Sequence, residues 1–245
     1  ASPCHLDKTR ERVQVLADRV EATGMPAIYC NLVGGQDELV FDGSSFALGA
    51  QGELRCLLPS FEEALEIVEF TRGDLQPALV APAQAPEAEV YQALVLGVRD
   101  YLGKNGFPGA IIGLSGGIDS AVVASIAADA LGAENVRALL MPSPFSSLES
   151  VEDAKELARN LGIEYNVIPI SEIYTSVVNT LKPVIGGTEF DATEENIQTR
   201  IRTVLLMAVQ NKADYILLNS SNKSENALGL CTLYGDTAGA FSPTG

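Results

Sequence analysis

The apolar positions change their spacing several times along this chain, and each change predicts an element. Over residues 9–23, TRERVQVLADRVEAT, Val13, Leu16, Ala17 and Val20 recur at helical spacing with charge on the other face. Gly24 supplies the stop. Residues 26–30 then read as a strand and Gly34-Gly35 as a turn. Residues 39–41 and 45–48 are short strand-like runs on either side of Asp42-Gly43, and Asp-Gly between apolar runs signals a hairpin. Residues 54–58 and 65–70 add two more strands. One helix followed by a series of strands reads as part of a larger α/β layer rather than a complete domain.

The pattern changes over residues 71–88, where Pro77, Pro82 and Pro86 are interleaved with Ala and Gln; this reads as a linker or an extended strap over a surface. Residues 89–102 predict a helix with Val90, Leu94, Val98 and Tyr101 on one face, ended by Gly103 and Gly106. From Ala110 strand and helix alternate. Residues 110–114, 136–141, 165–170 and 215–218 read as strands, and residues 118–131, 150–161, 171–181 and 194–211 as helices. Such βαβ units predict an α/β fold with a doubly wound, mostly parallel sheet, whose ligands bind at the carboxyl ends of the strands. Three segments follow: 1–70, a linker over 71–88, and 89–245.

Composition narrows the function. With 47% hydrophobic and 20% charged residues in 245, wholesale disorder is excluded. The longest apolar runs stop well short of the ~20 residues a membrane helix needs, and the start has no signal-peptide pattern. Sixteen basic against 32 acidic side chains leave a net charge of −16, which excludes a broad nucleic-acid or anionic-membrane surface but not a local phosphate pocket made of backbone amides. The four cysteines, at 4, 30, 56 and 231, fit neither a zinc site nor a CxxC pair, and a reducing cytoplasm is the expected compartment. The single histidine, His5, removes most imidazole chemistry. The chain starts without Met and stops at the turn-like FSPTG, so it reads as a fragment.

The sharpest local signal is GLSGGIDS: Gly113, Leu114, Ser115, Gly116, Gly117, Ile118, Asp119 and Ser120. It follows a strand and opens a helix. Adjacent glycines let the backbone approach an anion, Ser115 and Ser120 offer hydroxyls, and the first helical amides point outward with the positive end of the dipole. No Gly-Lys-Ser/Thr follows, so this is not the kinase-like P-loop; a site that holds pyrophosphate fits better. Asp119, one turn from a polyphosphate, predicts a bridging Mg²⁺.

SGGIDS resembles the PP-loop of the ATP pyrophosphatases. TEENIQTRIR at 193–202, NKSE at 222–225 and TLYGD at 232–236 are similar to motifs of the NAD synthetases. The start, ASP at 1–3 and GGQDELVFDG at 34–43, resembles the C-terminal portion of the nitrilase-like glutaminase domain fused to the glutamine-dependent members. The resemblance covers nearly the whole chain. It implies ATP-dependent amidation of deamido-NAD through an adenylated intermediate, with release of AMP and pyrophosphate. The nitrogen comes from glutamine or ammonia, and the full-length protein is a homo-oligomer.

Carried over, Gly113 to Ser120 together with Ser220 would bind ATP. Asn196, Glu225 and Thr232 would contact deamido-NAD, Asp119 and Glu225 would hold Mg²⁺, and Ser2 and Lys8 would bind glutamine. The glutaminase Glu, Lys and nucleophilic Cys would lie upstream of Ala1, and Cys4 is rejected as that nucleophile. Ser221 departs from a Gly common in the family. Asn196, Arg200 and Thr203 share one helical face, with Ile197, Ile201, Val204 and Leu205 turned to the core. Arg200 and Arg202 read either as ligand contacts or as solvated partners of Glu194 and Glu195. Thr232 and Asp236 read either as substrate-lining residues or as a capped turn. Two other readings stand beside this one: another PP-loop enzyme such as a GMP synthetase, and an inert folded module that only binds nucleotide.

Overall fold

The computed structural model describes residues 1–186 and 189–245. It divides into two units, Ala1–Tyr101 and Leu102–Gly245. In the first, helix α1 (Lys8–Thr23) ends at Gly24 in the left-handed conformation. Strands β1 (Ala27–Tyr29), β4 (Phe46–Leu48) and β5 (Leu54–Leu57) form an antiparallel sheet in the order β1-β4-β5. The helix lays Val13, Leu16, Ala17 and Val20 on Phe46 and Leu48, as the periodicity predicted.

Three expectations fail in this unit. Gly34 and Gly35 are not a turn: they lie inside β2 (Val33–Gln36), which pairs with β3 (Leu39–Asp42) around a turn at Asp37-Glu38. A side chain on Gly35 would press on Asp100 Cβ and Gly97 Cα, and its amide donates to the Asp100 carboxylate at 2.7 Å, so the glycine admits a helix rather than a turn. Asp42-Gly43 is not a hairpin turn either, because β3 pairs with β2 while β4 pairs with β1 and β5. Residues 65–69 form no strand; Leu65 and Ile67 are 93% and 82% exposed. Alternation alone makes no strand without a neighbouring ladder, and among the described residues only Gln76 N–H reaches the segment, at Glu69 O. A two-residue pair, β6 (Phe70–Thr71) with β7 (Asp74–Leu75), follows. Beyond it the chain runs as an extended strap beside β5, bonded through Ala78 N–H to Arg55 O and Ala81 N–H to Leu57 O.

Helix α2 (Pro86–Asn105) starts earlier than its apolar face suggested, with Pro86 at the first position where no N–H is needed. It runs through Gly103, and Gly106 ends it at φ +74°.

In the second unit, β8 (Ala110–Gly113), β9 (Val136–Leu140), β10 (Glu164–Val167) and β11 (Ile216–Leu218) form a parallel sheet in the order β10-β9-β8-β11. Helices α3 (Ile118–Leu131) and α4 (Leu148–Leu161) pack together on one face. Helices α5 (Ser171–Ile185) and α6 (Ala192–Ala213) cover the other, burying Ile111, Leu139, Tyr174, Ile201 and Leu217. The doubly wound α/β architecture is as the alternating pattern predicted. Val204 is a correction: it is 67% exposed, because it lies roughly 120° round the helix from buried Gln198. The core face is instead carried by Ile197, Gln198, Ile201, Leu205 and Val209. Helix α5 also runs past its expected end at 181, with Pro183 in its last turn. Among the described residues no helix is long and apolar enough to cross a membrane.

One buried ion pair ties the first unit's start to its sheet. Arg12 donates to both oxygens of Asp42 at 2.8 Å, and further to Ser2 O and Pro3 O. Asp42→Ala strands the guanidinium in a buried place, at a cost of about 3–5 kcal/mol. Faster hydrogen exchange over α1 and β3, with the second unit unchanged, is the expected result. Cys4 lies beside this pair; burial, then the Asp42 charge, push its thiol up to about 11. At pH 8 Cys4 therefore holds roughly a hundredfold less thiolate than an ordinary cysteine. Iodoacetamide should label exposed Cys30 well before Cys4, read by peptide mass spectrometry.

Candidate active site

Strand β8 delivers the chain to a loop, residues 114–117, that must turn before α3 begins at Ile118. Gly116 makes the turn at φ +85°, and a Cβ there would collide with the backbone carbonyl of Ser150 near the start of α4. Only glycine fits, and the packed helix, not an anion, is the immediate reason. Gly117 is extended and caps α3 without a side-chain bond.

The two serines brace the loop from within. Ser120, 3% exposed, donates to Gly117 O at 3.0 Å and accepts from Ser115 N–H at 3.2 Å. The two hydroxyls are 3.0 Å apart, and Ser115 Oγ accepts from Gly117 N–H at 3.1 Å. Backbone donation into the helix begins only at Ala121 N–H to Gly117 O. The N–H groups of Gly116, Ile118, Asp119 and Ser120 have no acceptor among the described residues. Such orphan donors at a helix start are suited to an anion.

Asp119 is half-buried and accepts from Asn222 Nδ2 at 2.9 Å. Asn222 also caps the short helix α7 (Lys223–Leu228): its Oδ1 accepts from Glu225 N–H at 3.0 Å, and its own N–H donates to Glu225 Oε2 at 3.1 Å. One asparagine thus bonds to both acidic residues named from the sequence. Its role was readable only as a capping box, Asn-x-x-Glu. Among the described residues no group of three or more His, Cys, Asp or Glu could hold a metal. Two carboxylates leave most of an octahedral shell to water and phosphate, which suits a Mg²⁺ carried in on a nucleotide, not a stand-alone ion.

Beside this loop lies a cavity of about 620 Å³ at the carboxyl ends of β8, β9 and β11, lined among others by Gly113, Leu114, Ser115, Met141, Ser220 and Asp236. It sits where the strand order reverses, with β9 and β10 to one side of β8 and β11 to the other. Ser220 lines the cavity wall and is half-buried. Ser221 turns without strain, and its hydroxyl donates to Asp236 O at 2.8 Å, so the departure from Gly costs no turn geometry.

The polar face of α6 grips the loop at 232–236. Asn196 Oδ1 accepts from Thr232 Oγ1 at 2.8 Å, Arg200 Nε donates to Leu233 O at 3.1 Å, and Thr203 Oγ1 donates to Gly235 O at 2.8 Å. Thr232 N–H in turn donates to Asp236 Oδ1 at 2.6 Å, the capped turn. No ion pair joins Arg200 or Arg202 to Glu194 or Glu195 among the described residues; Glu194 instead caps the Asp191 amide. Arg202 Nε donates to Met141 O at 3.0 Å, and burial lowers the guanidinium below its ordinary value.

In the first unit, Ser2 and Lys8 are each engaged with protein. Ser2 Oγ accepts from Arg12 Nε at 3.2 Å, and its amide donates to Asn31 Oδ1. Lys8 pairs with Glu11 at 3.2 Å. A second cavity, of about 320 Å³, is lined by Asn31, Gly43, Ser45 and Glu62 among others, without Ser2 or Lys8.

Comparison with known proteins identifies the family. The NAD synthase family model matches residues 90–245. The glutamine-dependent NAD(+) synthetase of Rhodobacter capsulatus is 48% identical over 99% of this chain. A solved glutamine-dependent NAD+ synthetase from Acinetobacter baumannii, in complex with ADP, matches 99% of this chain at 46% identity with a TM-score of 0.95, and 46% of that chain is covered. The NH3-dependent NAD synthetase from Campylobacter jejuni matches 64% of this chain and 66% of its own at 35% identity, TM-score 0.59. The chain spans about 45% of the length of the curated relatives it matches. On the matched residues, the parallel sheet and the loop after its first strand, the chain belongs to the NAD synthase family.

Proposed function

We propose that the chain carries the ATP-using half of a glutamine-dependent NAD synthetase. The nicotinate carboxylate of deamido-NAD attacks the α-phosphorus of ATP, the bond to the β-phosphate breaks, and pyrophosphate leaves. Ammonia then attacks the acyl-adenylate carbon, AMP leaves with the bonding pair, and a proton is lost to give the amide. Adenylation is needed because a carboxylate is a poor electrophile. The ammonia derives from glutamine hydrolysed in the nitrilase-like part, with Ser2 and Lys8 as the glutamine contacts.

The observation that carries this reading is the row of amides at Gly116, Ile118, Asp119 and Ser120 that have no acceptor among the described residues, with Asp119 joined to Glu225 through Asn222. Gly113 to Ser120 would hold the phosphates through the backbone, with Ser220 on the opposite wall. Asp119 and Glu225 would hold Mg²⁺, which when bound offsets charge on the departing pyrophosphate. Asn222, bonded to both, holds the two carboxylates near each other. Asn196, Thr232 and Glu225 would form the deamido-NAD side. Asn196 and Thr232 are bonded to each other at 2.8 Å, so a substrate there meets a pre-set pair.

Two outcomes test this. Calorimetric titration should show ATP binding that strengthens with Mg²⁺, and Asp119→Asn should remove at least tenfold of the Mg²⁺-dependent part. Absence of ATP binding by the unmodified chain would overturn the proposal. A pyrophosphate-release assay of the full-length protein with ammonium should respond to deamido-NAD and not to XMP; the reverse would favour a GMP synthetase. Separately, Gly116→Ala forces a Cβ into Ser150 at positive φ. It should destabilise the second unit by about 2–4 kcal/mol and abolish ATP binding, as read by urea denaturation and the same titration.

A further inference from the structure

Arg202 faces the cavity without the partner that a half-buried arginine ordinarily has. It lines the cavity together with Thr199 and Thr203 of α6, while Asn196, Arg200 and Thr203 grip the loop at 232–236. Its Nε is bound to Met141 O, which orients the guanidinium. No carboxylate pairs with it among the described residues, and neither Nη finds an acceptor there. The only other charged side chain in the lining is Asp236, whose Oδ1 already receives Thr232 N–H.

Strand register places this cation next to the loop. Gly113 pairs with Leu139 across parallel β8 and β9, and Leu114 N–H donates to Leu139 O. Ser115 and Met141 lie just past the ends of these paired strands, and both line the cavity, so the carbonyl that anchors Arg202 and the start of the glycine loop share one lining. A guanidinium drawn partly out of water in a chain of net charge −16 needs a compensating anion.

We infer that Arg202 is a phosphate-binding residue: with Nε held by Met141 O, its two Nη groups take oxygens of the nucleotide polyphosphate across the cavity from the amide row. The inference rests on the ATP reading above and adds a side-chain cation to a cradle otherwise made of backbone. The planar fork gives two parallel bonds to phosphate, which an ammonium cannot reproduce.

The test titrates the chain and three variants with ATP, inorganic tripolyphosphate and adenosine, all with Mg²⁺. Arg202→Gln keeps a donor for Met141 O and loses the charge; Arg202→Lys keeps the charge and loses the fork; Arg202→Met loses both. The expected result is tenfold or greater weakening of ATP and tripolyphosphate for Gln and Met, partial recovery for Lys, and unchanged adenosine binding, with melting temperature unchanged in the Gln variant. Wild-type-like ATP and tripolyphosphate affinity in the Gln variant would overturn this inference and leave the proposed function standing. Loss confined to adenosine would overturn it too, by moving Arg202 to the base. If the unmodified chain bound neither ATP nor tripolyphosphate, the proposed function itself would fall, and this inference with it.

Discussion

The site depends on a steric constraint at one residue. Gly116 must turn left-handed beneath the Ser150 carbonyl, because α4 is packed there against α3. That turn lets Ser115 and Ser120 close a small hydrogen-bonded knot, which takes up the Ser115 and Gly117 N–H groups and leaves those of Gly116, Ile118, Asp119 and Ser120 without an acceptor among the described residues. The orphan amides therefore sit at the positive end of α3, directly after Ser115, which lines the cavity. A loop free to relax would turn some of those amides toward its own carbonyls and lose the cradle.

The rest of the crevice is assembled from parts distant in the chain. Asn222, 103 residues beyond Asp119, joins that carboxylate to the cap of α7. Helix α6 fixes the loop at 232–236 with three side chains one turn apart, and a fourth, Arg202, reaches the end of β9. Each contact is modest; net contributions of such bonds are about 1 kcal/mol. Their value lies in restricting the geometry, since a phosphate cradle and a carboxylate pair are useful only if they face each other.

The first unit is held by different means. Its sheets have two or three short strands each, and its start is tied to β3 by Arg12 through Asp42, Ser2 and Pro3. The same network draws in Asn31, which contacts Ser2 from the far side. The Ser2 hydroxyl is thereby held in place by an arginine, while half-buried Lys8 pairs with Glu11.

The sequence by itself determined the α/β alternation after Ala110, because helical and strand periods differ there and each run is bounded by a turn. It also determined the glycine loop, since a strand, SGGIDS and a helix in that order admit few conformations. It misjudged Gly34-Gly35, Asp42-Gly43 and residues 65–69, where local turn or strand preference met a packing demand from elsewhere: α2 against Gly35, Arg12 against Asp42, and no ladder partner for the last. Only tertiary structure decided that Asn222 would join Asp119 to Glu225 and that Arg202 would reach the Met141 carbonyl at the end of β9. A residue's local pattern carries its own period and cap, but not which distant group will lie within 3 Å of it.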